Sequence, residues 1–176
     1  VFDRRLADQP LMQRVVADLE IETEASLLLA MRGARAMDRT ADDEHEAALA
    51  RLLPALAKFW HNKRCPAFMA EAMECLGGIG YVEETPLARL YREAPVNSIW
   101  EGSGNVICLD VLRILERHPA SIEALRQELD LARGHHPAFD AAVDSLGDRL
   151  TASAERLQAE ARWLVQCMAQ TLQAAL

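Results

Sequence analysis

The sequence predicts an all-α protein, an antiparallel up-and-down helical bundle with additional helices at its C-terminal end. Apolar residues recur at three- and four-residue steps in every long segment, which is the period of an amphipathic helix. About half of the 176 residues are apolar (51%), with the Ala, Leu, Glu and Arg enrichment of helical proteins. Neither strand alternation nor a hairpin signal interrupts this pattern.

The first two helices are predicted from 9 to 38 and from the end of a charged connection, 38–45, to the sequence LGGIGY at 76–81. Pro10 stands where a first turn tolerates proline, and Thr40 or Asp42 is the expected N-cap of the second helix. Pro54 and Pro66 are each expected to kink that helix. Its predicted apolar stripe comprises Leu49, Leu52, Leu53, Leu56, Phe59, Trp60, Phe68, Met69, Met73 and Leu76.

Shorter helices follow. Residues 86–93 predict a helix that begins at Pro86, and a further helix runs from near Ser103 to about Arg117. Two more segments, 121–133 and 138–176, are separated by GHHP, and the near-heptad apolar spacing of the last one predicts a long helix lying lengthwise against another. We therefore expect a bundle domain over 1–118 and a helical extension over 119–176, packed on or beside it.

Composition and charge limit the function. A net charge of −8 makes nucleic acid an improbable default partner. Four cysteines at irregular spacing are typical of reduced thiols in a cytoplasmic protein, and we find no signal peptide or membrane-crossing run. Because the chain begins at Val1 and not at Met, we expect it to be a piece of a longer protein.

One acidic residue stands in an unusual setting, the sequence PVNSIWEGSGN at 95–105. Gly102 and Gly104 allow backbone conformations closed to other residues, and Ser103 can cap the helix that follows. Glu101 would then lie on a tight connection, screened from water by Trp100, as a general base requires. The alternative, an acid that merely favours the helix dipole, stays open from spacing alone.

Other patterns are weaker. The LGGIGY sequence is read either as a helix end and turn or as a place where the bare backbone of Gly77 and Gly78 approaches a phosphate or a flat ring. His61 and Cys65 are four residues apart, but without further ligands they are read as a packed core pair and not as a metal site.

The segment from 71 to 113, EAMECLGGIGYVEETPLARLYREAPVNSIWEGSGNVICLDVLR, closely resembles the C-terminal helical domain of the acyl-CoA dehydrogenase superfamily. Its VNSIWEGSGN sequence is similar to the AidB-like, alkylation-response branch, and the opening VFDRRLADQPLMQRVVADLEIE resembles the start of the same domain. The resemblance extends well over residues 1 to about 118 and loosely over 119–176.

The resemblance implies a function for both glycine-containing motifs. Glu101 matches the base that removes the α-proton of an acyl-CoA thioester while FAD accepts a hydride from the β-carbon. FAD binding is implied for Gly77, Gly78, Trp100, Ser103, Gly104 and Asn105, with the Gly77–Gly78 turn approaching the FAD of a neighbouring subunit. It also implies a homo-oligomer, usually a tetramer, built through this domain, and we expect a dimer or larger species.

The sequence departs from the family in several places. Asp3 stands where most members have glycine, Glu74 where many have a flavin-contacting glutamine, and Cys108 where the β-oxidation enzymes have arginine; an arginine common before Phe2 would precede Val1. The N-terminal half of the family fold is absent, so we expect this chain alone neither to bind FAD tightly nor to turn over acyl-CoA.

A second class of function stays open, a DNA-associated protein that protects against alkylation damage. Residues 119–176 carry five arginines against eight acidic residues, a balance of −3. A phosphate-binding surface requires the opposite sign. We therefore favour the enzyme family and do not expect DNA contact by this chain.

Overall fold

The structure, a computed structural model, describes residues 3–176. Over that range the chain is helical with no strands, which confirms the predicted fold class. The helices are α1 (Pro10–Asp38), α2 (Glu44–Cys75), α3 (Gly78–Tyr81), α4 (Pro86–Glu93), α5 (Gly104–Arg117), α6 (Pro119–Asp130), α7 (Pro137–Leu150), α8 (Ala154–Ala159) and α9 (Ala161–Ala175). Short 3-10 turns span Leu6–Asp8 and Ala94–Ser98.

Helix α2 is the central element of the fold and packs against α1, α5, α6 and α9. Most of the core residues that α2 contributes lie in its first half, among them Leu49, Leu52, Leu53 and Leu56, all fully buried. Its second half is less enclosed, and Leu76 is exposed. Pro54 and Pro66 lie inside the helix, and neither ends it.

The N-cap of α2 differs from the prediction by one residue. Asp43, not Thr40 or Asp42, holds the cap position, and its carboxylate accepts hydrogen bonds from the backbone N–H groups of His45 and Glu46. Thr40 instead donates its hydroxyl hydrogen to the carbonyl of Met37, at the end of α1.

Helix α1 spans the predicted residues, but the apolar residues that predicted it do not form the core. The residues buried on α1 are Leu29, Arg32, Gly33 and Ala36. Leu11, Leu27 and Met31, three of the apolar residues whose three- and four-residue spacing predicts α1, are instead largely exposed. Further exposed apolar side chains on this helix are Val16, Ile21, Leu28 and Met37.

The predicted single helix over 138–176 is wrong, because the structure divides this segment into α7, α8 and α9. The chain leaves α7 at Thr151 and re-enters a helix at Ser153, whose hydroxyl caps α8 by accepting from the N–H of Arg156. This break lets α9 fold back and pack against α7, so that Val143 and Leu146 meet the core residues of α9. The near-heptad spacing therefore reflects packing between two parts of one segment.

A buried ion-pair network joins α1, α2 and α6. Arg32 donates to Glu46 (2.7 Å) and, through two nitrogens, to Glu128 (2.7 and 2.8 Å), while the His45 ring lies 3.0 Å from Glu128. The Arg32 guanidinium holds the pKa of Glu128 below its usual range, against the opposing effect of burial. This network ties the segment after residue 118 to the bundle, and the hydrophobic core includes residues on both sides of that boundary. The division into a bundle and an extension stays a prediction.

Two departures from the family fall at informative positions. Asp3 has a φ of +57°, in the left-handed region that favours glycine. Cys108 is buried on α5, and this burial raises the pKa of its thiol to about 11. The position of the arginine that the family places before Phe2 lies outside the described residues. No helix between residues 3 and 176 is long and apolar enough to cross a bilayer.

Candidate active site

Glu101 lies on the connection between the Ala94–Ser98 turn and α5. Its backbone has a φ of +52° and that of Gly102 has +108°, two consecutive residues in the left-handed region. A non-glycine residue there is uncommon, and such strain clusters at functional sites. A Cβ on Gly102 would also lie 2.9 Å from Cδ1 of Ile107. The φ of Gly102 therefore requires a glycine after Glu101, whereas the contact with Ile107 can be relieved by a shift of that side chain.

Gly104 is closely packed, although the atom nearest to an added Cβ belongs to the flexible end of the Lys63 side chain. It begins α5 and is buried against α2, where a built Cβ would lie 2.6 Å from Cε of Lys63 and 3.5 Å from the Phe59 ring. Ser103 occupies the N-cap position of α5, but its side chain makes no capping hydrogen bond. The prediction that Ser103 caps this helix is therefore right about the position and wrong about the interaction.

The Glu101 carboxylate is exposed and forms no hydrogen bond or ion pair with any residue that the structure describes. Trp100 is also exposed, with 59% of its surface accessible. The expected screening of Glu101 by Trp100 is thus not provided by this chain. Ser103 and Asn105 are exposed as well, and their side chains have no partner in the described part of the molecule.

Two hydrogen bonds from α2 hold the connection in place. Lys58 Nζ donates to the carbonyl of Trp100 at 2.8 Å, and Asn62 Nδ2 donates to the carbonyl of Asn97 at 2.7 Å. Sequence analysis missed both residues. Their only sequence signal is a spacing of four on one helix, which is too common to indicate a site.

The glycine turn lies at the end of α2. Gly77 has a φ of +60°, and both Gly77 and Gly78 are exposed. A Cβ added at either position would have no described atom within 4 Å. Gly80, in contrast, is buried so closely that a Cβ would lie 2.3 Å from the carbonyl oxygen of Met73. The turn is thus closed on its inner side and bare on its outer side. Ile79 and Tyr81, beside the bare backbone, are 67% and 76% exposed.

The structure does not bring the two motifs into one cleft of the same chain. The Glu101 connection lies against residues 58–63 of α2, whereas the glycine turn follows Cys75. Cys75 is thirteen positions after Asn62, which corresponds to roughly 20 Å along a helix axis.

His61 and Cys65 are half-buried neighbours on α2. The Nε2 atom of His61 is buried without a hydrogen-bond partner among residues 3–176, and burial lowers the pKa of the ring. Burial likewise raises the pKa of the Cys65 thiol. Among residues 3–176 the structure has no group of three or more His, Cys, Asp or Glu arranged to hold a metal ion.

The arginines of 119–176 are largely paired. Arg126 binds Glu123 and Asp130, and Arg133 binds Asp130 and Asp144. Two others share Glu160, and one of them, Arg149, also stacks over the Trp163 ring at 3.6 Å. Four of the five cations are therefore engaged with carboxylates.

Together these features define an all-helical domain with a strained, unpaired glutamate at a helix start and a bare glycine turn. Comparison with known proteins gives the class its name: residues 1–116 match the family described as acyl-CoA dehydrogenase, C-terminal domain. The chain belongs to this family.

Individual relatives agree with this assignment. AidB of Escherichia coli (strain K12) is 47% identical over 98% of this chain, and acyl-CoA dehydrogenase family member 11 of Caenorhabditis elegans is 30% identical over 90%. The chain spans 32% and 26% of the length of these two proteins. The crystal structure of Caenorhabditis elegans ACDH-11 in complex with C11-CoA superposes with a TM-score of 0.88 and 28% identity, over 99% of this chain and 33% of that one.

Proposed function

We propose that this chain is the C-terminal part of an FAD-dependent acyl-CoA dehydrogenase in which Glu101 is the base that removes the α-proton of an acyl-CoA thioester. The observation that carries the proposal is the combination of backbone strain and an unpaired carboxylate at Glu101. Its backbone is held in a strained conformation, yet its carboxylate has no partner within residues 3–176. A structural acid would be expected to use its charge locally, whereas a base must keep it free for the substrate.

The residues around the two motifs fit a flat cofactor. The outer side of Gly77 and Gly78 is bare backbone beside exposed Ile79 and Tyr81, and Ser103 and Asn105 offer unpaired polar groups. We propose that Gly77, Gly78, Trp100, Ser103, Gly104 and Asn105 hold FAD. When bound, FAD would supply the redox chemistry by accepting a hydride from the β-carbon.

In this proposal the protein's own task is placement. An α-proton of a thioester is weakly acidic, so the carboxylate must meet it with little water between them. Because Trp100 is exposed in this chain, the surface that excludes water from Glu101 comes from the substrate, the cofactor and the remainder of the protein.

We further propose a homo-oligomer, a dimer or a tetramer, in which the glycine turn of one subunit contacts the FAD of another. The roughly 20 Å between the two motifs along α2 supports this division of labour. So do the exposed apolar side chains of α1, because such surfaces mark sites of association. A cytoplasmic location accompanies the proposal.

DNA binding is not part of the proposal. The structure supplies no observation that favours it, since four of the five arginines after residue 118 are already paired with acids. A phosphate-binding surface needs unpaired cations.

The Glu101→Gln variant of the complete protein tests the assignment. We expect it to retain its fold, its oligomeric state and its bound flavin, because an amide has nearly the shape of a carboxylate. Loss of flavin absorbance after anaerobic mixing with acyl-CoA should slow by roughly 10²- to 10⁴-fold, the usual range for loss of a general base. Glu116→Gln, which alters an exposed glutamate of α5 with no partner among residues 3–176, should leave this rate unchanged.

Two results would count against the assignment. If the Glu101→Gln variant bleaches at the parent's rate, Glu101 is a structural acid near a helix start, with a stability contribution of about 1 kcal/mol or less. If no acyl-CoA of any chain length bleaches the flavin of the unsubstituted protein, dehydrogenation is not its function.

A further inference from the structure

The backbone at Glu101 is held by very few interactions. No backbone–backbone hydrogen bond reaches Glu101 or Gly102 from any described residue. Trp100 donates its own N–H to Val96, and the next backbone hydrogen bond along the chain begins only at Ser103. Two residues of positive φ in such a segment would be expected to relax unless something outside it fixes them.

The peptide group that joins Trp100 to Glu101 has one such restraint, the 2.8 Å hydrogen bond from Lys58 Nζ to the Trp100 carbonyl. The donor is charged, and charge-assisted hydrogen bonds are the stronger kind. Since this carbonyl belongs to the peptide plane that ends at the Glu101 nitrogen, fixing it limits the rotation that would swing the Glu101 side chain.

The support behind Lys58 is rigid. Its helix neighbours Leu56 and Phe59 are buried in the core. One turn further along α2, Asn62 holds the Asn97 carbonyl at 2.7 Å, and Gly104 is seated against Lys63 and Phe59. The connection that carries Glu101 is therefore fixed before, at and after the glutamate by one face of α2.

We propose that Lys58 is a positioning residue, which fixes the direction of the Glu101 carboxylate through the Trp100 carbonyl, with Asn62 as a second and weaker restraint on the same connection. This inference rests on the proposed role of Glu101 as base. It assigns a function to a side chain 43 positions earlier in the sequence, one that acts through the backbone of the Glu101 connection.

The size of the effect follows from geometry. A misplacement of about 1 Å in a reacting group can slow a reaction by roughly 10²-fold. Lys58→Met keeps the aliphatic stem and removes the donor, so we expect flavin reduction to slow by about tenfold to a hundredfold. Acyl-CoA affinity and flavin content should remain at the parent's values. Lys58→Arg, which retains a charged donor, should recover part of the rate.

The experiment uses the complete protein and two readouts. The first is the rate of flavin bleaching by acyl-CoA for Lys58→Met, alone and combined with Glu101→Gln. The second is amide hydrogen exchange, without substrate, of the peptide that contains residues 97–105. The matched control is Arg51→Met, which removes an exposed cation of α2 that has no partner in the described part of the chain.

The inference predicts that Lys58→Met slows the Glu101 protein but causes no further loss in the Glu101→Gln background, because a positioning residue acts only through the group it positions. It also predicts faster exchange at 97–105 and unchanged exchange in the helical core. Asn62→Leu should change both readouts in the same direction by less. Arg51→Met should change neither.

Several results would overturn it. Lys58→Met could bleach at the parent's rate while Glu101→Gln does not, in which case the base assignment stands and the positioning role is wrong. An equal slowing in both backgrounds, or faster exchange throughout the protein, would show that Lys58 is merely structural. If Glu101→Gln itself bleaches normally, the proposed function is wrong and the inference falls with it.

Discussion

Two regions of similar length differ sharply in how many large apolar side chains they leave exposed. The extension, 119–176, leaves three large apolar side chains more than a third exposed, namely Leu131, Trp163 and Leu176. The open region, which we define as α1 together with residues 76–106, leaves seventeen. Four of the five arginines of the extension are paired with acids, whereas Glu101 in the open region has no partner within residues 3–176.

The difference indicates which surface of the chain is expected to be covered in the complete, assembled protein. Large apolar side chains exposed in such number commonly mark surfaces of association, so the open region is expected to be covered by another molecule or another part of the protein. The extension leaves far fewer large apolar side chains exposed and pairs four of its five arginines with acids. On the proposed function, ligand and subunit contacts are therefore expected in the open region and not on the extension.

The largest expected effect tests how firmly the extension is joined to the bundle. Arg32→Met should lower the free energy of unfolding by about 3–5 kcal/mol, because it leaves the buried carboxylates Glu46 and Glu128 without their shared cation. Chemical denaturation measures this loss. The matched control is Arg126→Met, which also removes an arginine with two acidic partners, but at an exposed site.

Exposed pairs are screened by water, so the Arg126→Met variant should lose far less stability. Equal losses in the two variants would mean that the network at Arg32 does not secure the extension. The contrast between the two regions would then need another explanation.

Much of the fold could be predicted because its signals are local. Pro10 begins α1, the α4 helix spans 86–93 as predicted, and the helix after Ser103 ends at Arg117. Helical periodicity and caps act within a few residues, so a sequence reports them directly. The N-cap of α2 at Asp43 was missed by a single position, in a stretch where several residues can cap.

The errors arise where distant residues decide. Whether Leu27 is buried depends on what covers α1 and not on its helical spacing. The break at Thr151 accompanies the packing of α7 on α9, and the role of Lys58 depends on a carbonyl 42 residues later. The Glu101 motif was found because a glutamate between a tryptophan and two glycines is unusual, although its exposure in this chain was not foreseen.

Association of the chain tests whether the open region needs a cover. At micromolar concentration we expect the mass by light scattering to exceed that of the 19.6 kDa monomer. Leu27→Lys with Met31→Lys, two exposed residues one turn apart on α1, should raise the dissociation constant at least tenfold, since burial of one such side chain contributes about 1.5–3 kcal/mol.

Leu131→Lys is the control, because Leu131 is 77% exposed but belongs to the extension. It should leave the association unchanged. A clean monomer for the parent chain, or equal weakening by both substitutions, would contradict the distinction between the regions.

The glycine turn allows a comparison within the open region itself. Gly80→Ala should lower stability by about 1–3 kcal/mol, because the new Cβ would meet the Met73 carbonyl at 2.3 Å. Gly78→Ala meets nothing within 4 Å and should leave thermal unfolding of the flavin-free protein unchanged. In the complete protein the Gly78 variant should nevertheless bind FAD more weakly in a fluorescence titration. Unaltered FAD affinity would show that the bare side of this turn is only a helix end.

The smallest expected effect is the loss of stability at acidic pH that arises from Glu128, where the extension meets the bundle. Arg32 holds the pKa of Glu128 below its usual range. A carboxyl whose pKa is depressed on folding stabilises the protein above its unfolded pKa, and this contribution is lost as the pH falls through the folded pKa. Glu128→Gln should therefore be less stable than the parent by a constant amount near neutral pH, and this difference should narrow on acidification below about pH 4.5. The exposed Glu123 is also paired with an arginine that lowers its pKa. Because water screens that pair, Glu123→Gln should show a much smaller difference across the same titration. If the stability difference from the parent narrows equally in the two variants, the acid sensitivity does not arise from the buried pair of Glu128 and Arg32.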